Sequence, residues 1–333
     1  MMKAAEIIGE KLAVITDREK PALPEGWALV KIHTAPMCAE YKSFLQGHVS
    51  SCLGHEAAGE VVETASGSNI AVGSRVVVMP QYPCGRCQLC ITGDFIHCEH
   101  SFPYSAPTMA QYIAKPSWLL LPIPDQLSYD EASLACCALG PSHGAFSTMG
   151  VDAFSTVLIT GLGPVGLGAI VTAKYRGARV IAVESNEYRI DLAKRLGADE
   201  IIDPRQEDAV NQIKSLTDGQ GPDFGLDCSG AVAAHRLLID AVRRKGSIAF
   251  VGECHAETPI RISQDLLRKG IRLIGSWHYN LREYPQLIKL IQSSPQAKQL
   301  ITHTFPMSRI QEAFEVSASG RSGKILLHPW GDR

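Results

Sequence analysis

The chain has 333 residues, enough for one large or two ordinary domains. Hydrophobic residues make up 45% and charged residues 20%, close to globular averages, which excludes a largely disordered chain. Lys+Arg of 32 against Asp+Glu of 34 gives a formal net charge of −2 with no basic stripe, so nucleic acid and polybasic membrane contacts are disfavoured as partners. No apolar run approaches the roughly 18–20 residues that span a bilayer. The opening MMKAAEIIGEKLAV lacks the basic and apolar regions of a secretory signal, so a soluble, cytoplasmic chain is expected.

Residues 1–125 read as mostly strand. Short pieces such as WALVKIHTA, AAGEVVETA, SRVVVMP and AQYIAKP are separated by Gly, Pro, Asn and Ser clusters, which suits a small antiparallel sandwich or barrel. A helical stretch follows from Ser128, where Ser128 and Glu131 have the spacing of a capping box, and Pro141 is expected to bend or break it. From about 155 the rhythm changes. Apolar runs (TVLITG, RVIAVE, FGLDCSG, SIAFVGE, IRLIGSW) alternate with helical patterns, giving about six strands by Ser276 and predicting a doubly wound parallel sheet. The tail holds two amphipathic helices, YPQLIKLIQSS and SRIQEAFEVSASG, and a closing strand, GKILLHP, that leaves this alternation and can return to the first domain.

Gly161-Leu-Gly163-Pro-Val-Gly166 follows the strand TVLIT and opens a helix, and Glu184 ends the next strand 23 residues after Gly161. That context matches a dinucleotide fingerprint, with the pyrophosphate at the positive helix end and the acid on the ribose hydroxyls. A carboxylate there repels a 2′-phosphate and favours NAD over NADP.

Ten cysteines, without a secretory signal, point to metal or redox chemistry rather than disulfides. Cys84, Cys87, Cys90 and Cys98 have the spacing of a closed four-thiolate zinc site, with an iron–sulfur cluster as the alternative. Cys38, His55, Glu56 and the pair Cys136–Cys137 are more scattered; together they can supply ligands for an open, catalytic zinc.

GHEAAGEVV, the four-cysteine lobe, GLGPVG and the closing THTFPMSRIQEAFEVSASGRSGKILLHP resemble the zinc-containing medium-chain dehydrogenase/reductase family, the alcohol and polyol dehydrogenases. The resemblance covers essentially the whole chain. It implies an α/β protein: a GroES-like, mostly-β catalytic domain over 1–137 and 276–333, and a Rossmann NAD-binding domain over 138–275. It also implies two zinc ions per chain and a homodimer or homotetramer acting on a small alcohol or polyol.

Carried over by residue, Cys38 and His55 match catalytic-zinc ligands and Glu56 a direct or alternative ligand. The polyol-type alignment puts Cys136 in the fourth place with His143 also matched; the alcohol-dehydrogenase register puts Cys137 there, and the gapless match favours Cys136. Cofactor contacts are implied at Gly161, Gly163, Pro164, Val165, Gly166, Glu184 and Arg189. After Cys38 the family carries a hydroxyl relay and an Asp that supports the zinc-bound His, whereas this chain has Ala39-Glu40-Tyr41. Glu40 is a candidate proton relay and Tyr41 a candidate hydrogen-bond partner of His55. Phe102, Tyr104, Trp277 and Tyr279 are candidate cleft residues. The rival functional readings are an inactive nucleotide-binding redox or regulatory protein and a zinc-free reductase of the same superfamily.

Overall fold

The computed structural model describes residues 1–102, 105–205 and 208–331. The chain forms two compact units: Met1–Cys137, Asn280–Ser293 and the chain from Ile301 onward in one, Ala138–Tyr279 and Ser294–Leu300 in the other.

In the first unit the long strand Trp27–Pro36 is the organiser. It pairs antiparallel with Ala57–Thr64, with Tyr112–Pro116 and with Lys324–His328. The path continues through Arg75–Val78 to Leu120–Pro122 on one side and to Ile301–Pro306 on the other. Because side chains alternate across the sheet, Val30 and Ile32 enter one core with Val61, Val76 and Ile113. Fully burying each such aliphatic side chain contributes about 1.5–3 kcal/mol. Phe44, from the short helix Tyr41–Gln46, closes this core by stacking on Phe314 at 5.0 Å. The closing strand does return to this unit, with Leu327 opposite Ala35.

The capping box forms as expected. Ser128 Oγ accepts from the Glu131 amide at 3.2 Å, and the Ser128 amide donates to Glu131 Oε2 at 2.9 Å. The stretch that follows is not one bent helix, however. Tyr129–Ser133 ends after 5 residues, positions 134–139 are turns, and a new helix, Gly140–Met149, begins with Pro141 in its first turn. Proline fits there because first-turn amides have no intrahelical acceptor. Cys136 and Cys137 therefore lie on a turn.

Among the described residues the second unit carries six parallel strands in the spatial order Glu200–Ile202, Arg179–Val183, Thr156–Thr160, Phe224–Asp227, Ser247–Phe250, Arg272–Gly275. In chain order that is 3-2-1-4-5-6, the doubly wound arrangement, which reverses at Thr156–Thr160. Helix Pro164–Tyr175 leaves the first strand at that reversal. Leu158, Ile181, Leu238 and Ile248 form the core on which this sheet rests. No helix among the described residues is long and apolar enough to cross a membrane.

Candidate functional site

The four-cysteine lobe closes on itself. Cys87 Sγ lies 3.5 Å from Cys90 Sγ and 3.8 Å from Cys98 Sγ, and Cys84 Sγ lies 3.9 Å from Cys90 Sγ. A tetrahedron with metal–sulfur bonds of about 2.3 Å has sulfur–sulfur edges of about 3.8 Å, so the lobe fits zinc. The backbone amide of Arg86 holds the Cys84 thiol down at about 6, which favours the thiolate. The lobe is anchored from far along the chain. Asn280 donates from Nδ2 to the Thr92 carbonyl at 2.8 Å and to Asp94 Oδ1 at 2.9 Å.

A second cluster gathers one donor atom each from Cys38, His55, Glu56 and Cys137, all within 4.8 Å of one another. Cys38 follows the strand Trp27–Pro36, His55 and Glu56 precede Ala57–Thr64, and Cys137 comes from the turn ahead of Gly140. His55 Nε2 lies 3.2 Å from Cys137 Sγ. The expected cysteine here was Cys136, and the structure replaces it with its neighbour. Cys136 Sγ points at the Val78 carbonyl 3.8 Å away, wholly buried, and burial pushes its thiol up. Consecutive turn residues aim their side chains in different directions, so only one of the two faces Cys38.

Glu56 is fully buried and doubly held: Lys324 Nζ donates to Oε1 at 2.6 Å and the Cys137 amide to Oε2 at 3.0 Å. Burial pushes the Glu56 carboxyl up to about 7, with the Lys324 ammonium opposing. Lys324 escaped the sequence reading; the available signal was a lysine opening an otherwise apolar strand, GKILLHP. Hydrogen bonding to Cys137 holds the Cys38 thiol well below its usual range against the effect of burial, with help from the Lys324 charge. The donor set of soft sulfurs, imidazole and carboxylate suits zinc.

The group beside His55 is Glu40, and Tyr41 does not take the place expected of it there. Glu40 Oε1 lies 3.0 Å from His55 Nδ1, while Oε2 accepts from the Cys38 amide at 2.7 Å. Tyr41 packs on the apolar core of the first unit. Burial disfavours the Glu40 carboxylate, but hydrogen bonding and charge from His55 hold it at about 2. Burial likewise opposes charge on His55, and bonds to Cys38 and Glu40 raise it to about 11.

In the second unit, Gly161 has φ +81° and a Cβ at Gly166 would sit 1.9 Å from the Gly161 carbonyl, so both positions require glycine. A Cβ on Gly163 would meet no protein atom within 4 Å; the space beside this backbone is open at the start of helix Pro164–Tyr175, where Pro164 and Val165 form the first turn. Such a helix end suits an anionic pyrophosphate. Glu184 reaches the same loop. Its Oε2 accepts from the Leu162 amide at 2.9 Å, and Arg189 lies 3.9 Å away. Of the aromatics expected at a cleft, Phe102 and Trp277 are exposed, Tyr279 is buried and stacked on His278 at 4.7 Å, and Tyr104 lies outside the described residues. His143 is buried in the helix Gly140–Met149.

Comparison with known proteins matches residues 24–125 to the alcohol dehydrogenase GroES-like domain and 164–293 to the zinc-binding dehydrogenase domain. An L-threonine 3-dehydrogenase of Pseudoalteromonas atlantica is 30% identical over 98% of this chain and 100% of its own length. A sorbitol dehydrogenase of Halalkalibacterium halodurans is 30% identical over 95% of each. Among solved structures, alcohol dehydrogenase TADH from Thermus sp. ATN1 superposes with TM-score 0.91 at 25% identity, covering 98% of this chain and 99% of that one. The 2R,3R-butanediol dehydrogenase of Bacillus subtilis gives 0.86 at 26%, covering 99% and 100%.

Proposed function

The chain belongs to the zinc-containing medium-chain family of alcohol and polyol dehydrogenases, and from that premise we propose that it transfers a hydride between NAD and a secondary alcohol or polyol. The observation that carries this reading is the convergence of Cys38, His55, Glu56 and Cys137 on one point. Threonine, sorbitol and butanediol, named in the relatives, each carry a secondary hydroxyl beside a second polar group, and a substrate of that kind is the best-supported choice.

Cys84, Cys87, Cys90 and Cys98 would hold a structural zinc. Cys38, His55 and Cys137 would hold the catalytic one, with Glu56 beside them as an alternative ligand. Both Glu56 oxygens are already engaged by Lys324 and the Cys137 amide, so three donors remain, the number that keeps a catalytic position open. When bound, this zinc supplies Lewis acidity toward an alcohol oxygen and NAD supplies the hydride acceptor. The chain's own part is orientation. The open side of Gly163 would admit the pyrophosphate, and Glu184 would accept from the ribose hydroxyls, releasing the Leu162 amide. Assembly as a homodimer or homotetramer is part of the proposal. Arg272–Gly275 ends the sheet, and exposed Ile260, Ile262 and Leu267 lie shortly before it in the chain. Native mass measurement checks this.

The decisive test is NAD reduction by zinc-loaded protein against vicinal diols, polyols and L-threonine, with chelation and zinc re-addition as the control. Turnover that disappears with the chelator and returns with zinc is expected. No turnover with any of these substrate classes would overturn the reading.

A further inference from the structure

The residue that holds the two upstream members of the catalytic cluster is Glu40. It occupies the N-cap of helix Tyr41–Gln46, yet its side chain makes no capping bond. Its carboxylate turns back instead, one oxygen 3.0 Å from His55 Nδ1 and the other accepting the Cys38 amide at 2.7 Å. The side chain is only 12% exposed, so water competes little for either oxygen.

We infer that Glu40 is a positioning residue that builds the catalytic metal site and is not the proton relay of the reaction. A carboxylate on Nδ1 fixes the tautomer in which Nδ1 carries hydrogen and Nε2 presents its lone pair. In this chain Nε2 is the nitrogen 3.2 Å from Cys137 Sγ, the side of the ring that faces the cluster. The other Glu40 oxygen ties down the backbone of Cys38, so one carboxylate sets the orientation of two ligands from different segments. A relay needs a group that can take a proton from substrate and pass it to water. Both Glu40 oxygens are committed to protein donors, and its hydrogen bonds lead to the ligands themselves.

This inference rests on the dehydrogenase reading, and the test separates the two. Zinc affinity is measured by competition with a chromophoric chelator on the full chain, for wild type, Glu40→Gln and Glu40→Ala. The wild type should hold two zinc ions. Glu40→Ala should keep the lobe zinc while the second site weakens roughly 10–100-fold, the usual range for outer partners of metal ligands. Glu40→Gln retains an acceptor for Nδ1–H and should show a smaller loss. In variants saturated with zinc, the pH profile of kcat should keep its shape. Unchanged zinc affinity in both variants, together with a kcat loss and an altered pH profile, would overturn the inference in favour of a relay. If Glu40→Ala does not fold, the same readings on Glu40→Gln decide. A wild type that binds only the lobe zinc would instead overturn the reading of the catalytic cluster on which this inference rests.

Discussion

Replacing Lys115 by methionine should stabilise the protein. Lys115 sits on the strand Tyr112–Pro116, 2% exposed, with Nζ 3.7 Å from the centroid of the Tyr82 ring and no carboxylate paired with it among the described residues. Burial pulls its pKa from 10.5 to about 7. At roughly 1.4 kcal/mol per tenfold change in the proton equilibrium, that fall corresponds to about 5 kcal/mol at pH 7. The ring face returns about 2 kcal/mol to the ammonium, leaving a net cost of about 3 kcal/mol that Lys115→Met should recover. The sign of the pH dependence follows from linkage. Between pH 7 and 10 the unfolded chain holds a proton on this amine that the folded chain has released, so wild-type stability rises with pH across that window. The advantage of Lys115→Met should therefore shrink by at least about 1 kcal/mol between pH 7 and pH 9. Denaturant midpoints of both proteins, in excess zinc at each pH and followed by tryptophan fluorescence, measure it; Trp27 stacks on Tyr82 at 5.6 Å and reports on this region. A destabilised variant, or a gain identical at both pH values, would refute the reasoning.

Cys137→Ala should remove one zinc per chain and abolish turnover, whereas Cys136→Ala should retain both ions; metal analysis of the two purified variants reverses the assignment if it is Cys136→Ala that loses the metal. Cys90→Ser should lose the lobe zinc and lower the melting temperature while the catalytic cluster keeps its metal, and unchanged zinc content would rule out a closed four-thiolate site. Wild-type kcat/KM should be higher with NAD than with NADP, and Glu184→Ala should narrow the ratio mainly by losing NAD; equal efficiency of the wild type with both cofactors contradicts the role of Glu184. His328 Nε2 lies 2.9 Å from Asp130, which raises the His328 pKa above 6.5 and helps hold that of Asp130 below 3.8, so the pair contributes fully between those values and the His328 part fades as pH rises through its raised pKa. Both side chains are about one-third exposed, so His328→Gln should cost up to about 1 kcal/mol at pH 5.5 and less at pH 8.5, as melting curves at the two values would register.

Features set by neighbours along the chain are legible before any tertiary contact is known. The glycines at 161 and 166 are dictated by a turn only a few residues long, the Ser128–Glu131 box by one helical turn, and the four-cysteine lobe by spacings within fifteen residues. The six-strand alternation was legible because strands buried on both faces must be apolar throughout. The catalytic cluster was only half legible. Its cysteines and histidine could be named, but the choice between Cys136 and Cys137 depends on a turn whose direction is fixed by the helix restarting at Gly140 and by the packing of Cys136 against Val78. Glu40 takes the place beside His55 expected of Tyr41 because the helix Tyr41–Gln46 docks Phe44 on Phe314, and that docking leaves Tyr41 on the apolar core and Glu40 toward His55. Lys324 meets Glu56 across 268 residues, and Asn280 reaches the lobe across 186. Partners so far apart meet only when the closing strand pairs with Trp27–Pro36 and the last segments return to the first unit. Local pattern encodes which groups the chain can offer, but the direction each one faces is fixed by packing between segments that no local pattern connects.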